Sequence, residues 1–396
     1  MASISAFLGE PVTGNRSTAT ILGLRRGVHI HGGGGGGDGG GGGGGGGGRF
    51  VFHGVRRRGF FNIRAERMPW REIKAIKPWA ESAEAATRPF DVPIFSGSEV
   101  VDRLKAFQQN RTSEQNYMAM YSSVLDGITT DPAAMVIPMD DHMVHRGHGV
   151  FDTAAILDGH LYELEQHLDR FLRSASMAKI RLPFDRSTIR SMLIQTVSAS
   201  KCSLGSLRYW LSAGPGDFQL SPSDCPNPAL YAVVVEAKSL PTPKGCKVIT
   251  STVPMKSRQF AVMKNVNYLP NALSKMEAEE HGAFAGIWLD DEGFVAEGPN
   301  MNAGFVTRTK ELIMPYFDKI LSGCTAKRVM VLGQKLVEDG RLGGIKLGNV
   351  TVQEGKMADE MMLIGRQEGP IAQALFDLII EDMRSGPSTV RTPVPY

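Results

Sequence analysis

A chain of 396 residues with 42% hydrophobic and 21% charged side chains has the apolar material for a sizeable core and is excluded from the disordered and fibrous classes. Its net charge of +3 joins two unlike parts: residues 1–64 hold eight arginines, no lysine and only Glu10 and Asp38, which leaves the rest at −3 and implies no nucleic-acid or membrane partner. Four cysteines stand far apart with no C-x-x-C pair, which excludes a disulfide scaffold and a zinc pattern.

In chain order, residues 1–64 have the Arg-rich, acid-poor composition of an organellar transit peptide and read as cleaved. They include a Gly-rich low-complexity run, Gly32 to Gly48, broken only by Asp38. Residues 65–112 are polar and punctuated by Pro69, Pro78 and Pro89, and read as an N-terminal extension with a helix over Ser98–Gln108 capped by Ser98. Residues 113–239 read as a small α/β domain. Its strand Val150–Leu157 turns at Asp158-Gly159 into a helix whose stripe is Leu161, Leu164, Leu168, Phe171 and Ala175. A helix over 184–199 and strands over 205–213 and 228–236 complete it. The link Leu240-Pro241-Thr242-Pro243 opens a larger domain, 240–396, with a strand near 247–252, a helix over 271–282, strand pairs about Asp290–Gly293 and Arg308–Lys310, and a helix from Thr325. Segregated rather than alternating elements predict an α+β chain, α/β within each of two domains, with chemistry in the crevice between them.

Lys264 lies in Met263-Lys264-Asn265-Val266-Asn267-Tyr268-Leu269-Pro270, after the apolar run Phe260–Met263, where burial depresses an amine's pKa and favours its nucleophilic form. Taken alone it reads as a surface charge; its company changes that. Glu297, at the end of a strand-like run, is a carboxylate able to pair with a pyridinium nitrogen, and Tyr268 offers a phenol. Gly323-Cys324-Thr325 opens a helix whose N-terminus can hold a phosphate, although Thr325 as a plain N-cap fits equally well. Arg170 lies off its helix's apolar stripe and is the candidate phosphate arginine, against a surface ion pair. His142, His145 and His148 recur at steps of three, but Gly147 and Gly149 interrupt a regular helix there, so no metal site is expected.

Arg146–Asp152, His167-Leu168-Asp169-Arg170, Lys264 with Asn267–Pro270, Glu297-Gly298 with Asn302, and Ile320–Thr325 occur in an order that resembles the class IV, or fold type IV, pyridoxal phosphate aminotransferases over about 113–365. Within that family the chain is most similar to the plastid D-amino-acid transaminase-like, or branched-chain-aminotransferase-like, group of plants. The resemblance implies a two-domain fold type IV enzyme with a barrel-like larger domain, pyridoxal 5'-phosphate as cofactor, amino-acid and 2-oxo-acid substrates, a homodimer, and residence in the chloroplast stroma. It also implies that Lys264 is the Schiff-base lysine and Glu297 the pyridine-nitrogen partner. Arg170 and Thr325 become phosphate ligands, Tyr268 a neighbour of the ring oxygen, Asn302 and Cys324 further cofactor-site residues, and Phe151 a wall of the substrate pocket.

Two departures carry consequences. Where bacterial D-amino-acid transaminases have an arginine and a histidine for the substrate carboxylate, this chain has Ala213-Gly214-Pro215-Gly216-Asp217-Phe218. After Met361–Gly365 the family's phosphate turn and Pro-Val strand are replaced by Arg366-Gln367-Glu368-Gly369-Pro370, so about two strands are expected to be missing from the C-terminal sheet near 365–367. The expectations are an open phosphate end beside Gly365 and Arg366, with Arg366 as a substitute ligand, and a displaced final helix from Gly369. The leading reading is a transaminase, of D-amino acids by resemblance. The alternatives are an aminodeoxychorismate lyase making 4-aminobenzoate and a non-catalytic, truncated cofactor- or partner-binding isoform.

Overall fold

A computed structural model describes residues 21–22, 92–111, 115–240, 245–364, 366–367 and 369–396. The readings of the leader (Ile21 and Leu22 apart), of most of the extension and of the proline link at 241–244 lie outside the described residues.

The first sheet is antiparallel throughout, in the order Arg391–Pro393, His160–Tyr162, Gly149–Leu157, Leu204–Ser212, Ala229–Glu236, Asn116–Ser122, Gly127–Thr129. Its third strand, Gly149–Leu157, is apolar apart from Asp152 and Thr153 because both of its faces are covered. Val150, Ala154 and Ile156 pack with Leu164, Leu168 and Phe171 of the helix Leu164–Met177 and with Ile189 and Leu193 of the helix Arg186–Ser200. Ala155 and Leu157 face the second core, formed with Phe305, Met314 and Val329.

Several elements differ from the sequence reading: the helix expected over 271–282 spans Leu269–Glu280, the strand pair expected about Asp290–Gly293 is reduced to isolated bridges such as Leu289 to Val295, and two further differences have a clear physical cause. Leu161 belongs to a strand, not to the helical stripe: Asp158 and Gly159 both take positive φ, 48° and 75°, and the tight reversal lays Leu161 against Ile156 before the helix starts at Leu164. The early helix spans Gly97–Gln109 and is capped by Ser96 rather than Ser98, since only Ser96 stands three residues before Glu99 and can complete a capping box, the Glu99 carboxylate accepting the Ser96 N–H at 2.7 Å.

The second sheet runs Gly344–Leu347, Glu311–Met314, Ala303–Val306, Glu360–Leu363, Arg366–Gln367, with one parallel pair between the first two. The final helix, Pro370–Ser385, is not displaced. It buries Ile371, Ala372, Leu375, Ile379 and Met383, and the N–H groups of Ile371 and Ala372 donate to the Glu360 carboxylate at 3.0 and 2.8 Å. A carboxylate there satisfies donors that Gly369 cannot cap and complements the helix dipole. Arg366–Gln367 form a two-residue edge strand on Leu363 and Met362, while Gly365 and the Arg366 side chain lie outside what is described.

A small parallel sheet joins Val248–Thr250 to Ala285–Ile287, with the helix Leu269–Glu280 in the connection, and Ile21–Leu22 pair with Val248–Ile249 on its other side. This connection carries the lysine segment.

Candidate active site

The lysine segment is laid along the strand Gly149–Leu157 of the first sheet. Val150 and Asn265 form an antiparallel bridge, the Phe151 N–H donates to the Lys264 carbonyl at 2.9 Å, and the Lys264 N–H donates to the Ser174 hydroxyl at 3.1 Å. Strand and helix thus fix the Lys264 backbone on both sides, and its side chain is 1% exposed. The Nζ lies 3.3 Å from the Tyr268 hydroxyl and 4.0 Å above the centre of the Phe151 ring, which meets Tyr268 edge to face. Burial drives the amine well below the usual lysine range; Arg170 and Lys256 push the same way and Asp152 and Glu297 oppose them. The shift favours the neutral, nucleophilic form of the amine.

Glu297 is 6% exposed and exchanges backbone contacts with Asn302 across an antiparallel bridge. The Asn302 Nδ2 donates to Glu297 at 3.3 Å and to the Leu321 carbonyl at 2.9 Å, whereas the Asn302 Oδ1 is buried without a partner. Burial raises the Glu297 carboxyl to about 7, with Lys256 and Lys264 pulling it down. A carboxyl whose folded value exceeds its unfolded value favours folding fully below about pH 4.5 and loses that contribution as pH rises through 7, because the folded state holds a proton the unfolded state has released. Ligand-free protein is therefore expected to lose on the order of 3 kcal/mol relative to Glu297→Gln between about pH 4.5 and 8. Urea midpoints of the two proteins across that range check this, and a constant difference contradicts it.

Arg170 is 2% exposed and grips Asp152 with two parallel bonds, Nε to Oδ2 at 2.9 Å and Nη2 to Oδ1 at 2.7 Å, while Nη1 donates to the Ser322 carbonyl at 3.2 Å. The His167 Nδ1–H donates to the same Asp152 at 2.8 Å. Burial would raise the Asp152 carboxyl, but Arg170 and His167 more than reverse it and hold it well below the carboxylate range. His167 is conversely lifted to about 10 against its burial by Cys324 and Asp152, and burial's upward push on the Cys324 thiol is outweighed by His167 and Arg170. Thr325 is buried in the first turn of the helix Cys324–Leu332 and is not its N-cap: Gly323 takes that position, without a side-chain cap, so the first-turn N–H groups face the Arg170 end of the site uncapped. A Cβ on Gly323 would collide with the Asn302 Oδ1.

A buried amine, a carboxyl group at one end, and a guanidinium with uncapped helical N–H groups at the other match the aldehyde, pyridine nitrogen and phosphate of pyridoxal phosphate. The unpartnered Asn302 Oδ1 lies between the two ends.

The profile of the family described as amino-transferase class IV matches residues 149–367, more than half of the chain. The chain belongs to the class IV aminotransferases. A relative named D-amino-acid transaminase, chloroplastic, from Arabidopsis thaliana is 59% identical over 333 residues, covering 79% of this chain and 88% of its own. Since 79% of 396 residues is about 313, about 20 of those 333 aligned positions have no residue in this chain. Aminodeoxychorismate lyase of Bacillus subtilis is 26% identical over 237 residues, covering 58% and 80% of the two chains. Among solved structures, the branched-chain amino acid aminotransferase of Thermobaculum terrenum in its PLP-form superposes with a TM-score of 0.61 at 20% identity, covering 71% of this chain and 99% of its own, and so shares the fold.

The aminotransferase brings Phe151, Arg170, Lys264, Tyr268, Glu297, Asn302 and Cys324 into one connected network, with Thr325 next to Cys324 in the first turn of its helix. Three residues escaped the sequence reading. Asp152 and His167 stand inside quoted motifs without an assigned role, yet an aspartate alternating with Val150 and Ala154 on a core-facing strand demands a buried cation and could have been read as such. Ser174, which anchors the Lys264 backbone, has no sequence signal. The three histidines spend ring nitrogens on neighbours: His148 Nε2 on the Ala178 carbonyl at 2.8 Å, His142 Nε2 on the Gln219 carbonyl and His145 Nε2 on the Asp140 carbonyl, both at 3.3 Å.

Proposed function

We propose that the chain transfers an amino group from a D-amino acid to a 2-oxo acid with pyridoxal 5'-phosphate held by Lys264, in the chloroplast stroma. The observation that carries this is the fully buried Lys264 amine between a carboxylate end and a cationic end. Bound there, pyridoxal phosphate supplies an electron sink for the charge left when a bond at the substrate Cα breaks. Glu297 would hold the proton of the pyridine nitrogen; Arg170 and the N–H groups of Cys324 and Thr325 would hold the phosphate; Tyr268 would flank the ring oxygen, with Phe151 as a pocket wall. The Lys264 Nζ, whose neutral form burial favours, would take the proton from the substrate Cα. The D-preference draws support from the Arabidopsis relative's name and 59% identity, and the stromal location from that name together with the Arg-rich, acid-poor residues 1–64.

The lyase relative favours a second reading, since elimination begins with the same Cα proton. Purified protein is expected to form D-glutamate from D-alanine and 2-oxoglutarate and to release no 4-aminobenzoate from aminodeoxychorismate. The reverse outcome selects the lyase, and activity with neither, nor with any other amino donor, selects the non-catalytic isoform. A homodimer fits the helix Leu269–Glu280, which exposes Leu269, Leu273 and Met276 along one face beside the lysine loop. Sedimentation at the mass of one chain at micromolar concentration contradicts it.

A further inference from the structure

The loop between Val248–Thr250 and the helix Arg258–Ala261 delivers a second amine to the site. Before it, the Glu277 carboxylate accepts the Ser251 hydroxyl at 2.6 Å and the Thr252 N–H at 3.0 Å, and the indole N–H of buried Trp288 donates to the Val253 carbonyl at 2.9 Å. Met255 packs on Trp288, Ala296 and Ile320, next to Glu297. After it, Arg258 donates to the Asp318 carbonyl at 2.8 Å and to its carboxylate at 3.1 Å. Pinned on both sides, Lys256 cannot trail into solvent as surface lysines do. Its Nζ lies 4.7 Å from the centre of the Tyr268 ring, the ring whose hydroxyl contacts Lys264. It lies close enough to Glu297 and Lys264 to act on the charge of both.

Among the described residues Lys256 has no hydrogen bond and no ion pair; its contact is the face of an aromatic ring. Burial lowers its amine pKa and only Glu297 opposes this. Holding a half-buried ammonium there without an anion is costly, so the position suits a cation whose partner arrives with the substrate. Amino acids and 2-oxo acids share one anionic group, the carboxylate next to the reacting carbon. The segment Ala213–Phe218 has neither an arginine nor a histidine to meet it.

We propose that Lys256 binds the substrate carboxylate, its ammonium donating to that group from beside the Tyr268 ring. The inference rests on the transaminase reading and makes Lys256 a specificity residue: it selects carboxylate-bearing amines over plain amines and acts alike on both half-reactions, since donor and acceptor carry the same group.

The test uses full-length cofactor-loaded protein with Lys256→Met and Lys256→Arg. A charge-assisted hydrogen bond to a partly desolvated carboxylate is worth about 10- to 100-fold. In Lys256→Met the dissociation constant for propionate, a carboxylate that cannot react, read from its perturbation of the cofactor absorption spectrum, is expected to rise by about that factor. The KM for D-alanine and for 2-oxoglutarate should rise together, with kcat changed less, and the cofactor's own dissociation constant should stay within about threefold. Lys256→Arg should restore propionate binding. Unchanged propionate binding and KM values in a Lys256→Met protein that keeps its absorption band overturn the assignment while leaving the transaminase reading intact. A rise in cofactor dissociation constant with no change for propionate overturns it as well, in favour of a cofactor contact. Wild-type protein with no absorption band overturns both.

Discussion

Lys264→Ala is expected to lower kcat/KM for amino transfer at least about 1,000-fold, because it removes the group that moves the Cα proton. The loss should fall on kcat more than on KM, since the Nζ is shut away behind Phe151 and Tyr268 and contributes little to holding substrate. A second readout separates chemistry from folding. After borohydride treatment of the loaded proteins, acid denaturation should leave the pyridoxyl group covalently attached in the wild type and free in the variant, while the far-ultraviolet dichroism of the two coincides. Retained attachment in Lys264→Ala would falsify the assignment of the cofactor to this amine.

Asp152→Ala is expected to cost about 3–5 kcal/mol of stability, the usual loss when one partner of a buried ion pair is removed. Asp152 is 0% exposed and serves two cations at once, so its removal leaves both Arg170 and His167 in the core without their shared carboxylate. Neither has another carboxylate within an ion pair's reach among the described residues; Arg170 keeps the Ser322 carbonyl and its 3.2 Å contact with His167, and His167 keeps Cys324. Asp152→Asn, which keeps the shape and one acceptor oxygen, should cost less than Asp152→Ala but still destabilise. Urea unfolding of the three proteins at pH 7 tests the order, and an alanine variant within about 1 kcal/mol of wild type would mean that Arg170 finds solvent instead.

What could be read before any coordinates was local. Lys264, Tyr268, Glu297 and Thr325 lie in short runs whose residue types state their own chemistry, Asn302 and Cys324 were legible only through the family resemblance, and the strand Ala229–Glu236 announces itself by a continuous apolar run. Pairings made across the chain were opaque. Nothing in Glu360 signals that it caps a helix starting ten residues later, so the final helix looked unanchored without its sheet. Nothing around Lys256 signals that Glu277, Trp288 and Asp318 hold its loop from three separate segments of the chain. Leu161 misled because its spacing from Leu164 and Leu168 fits a helical stripe as well as it fits a short return strand.

The strand Arg391–Pro393 closes the outer edge of the first sheet, Thr392 lying opposite Leu161, so residues more than two hundred positions apart complete one layer. During synthesis the segment 116–236 must wait with His160–Tyr162 as a bare edge until the last residues appear. Contacts of such sequence separation are formed late and slowly. The edge left open meanwhile is the kind that invites pairing with another chain, which makes this protein a natural client for chaperones until its C-terminus docks.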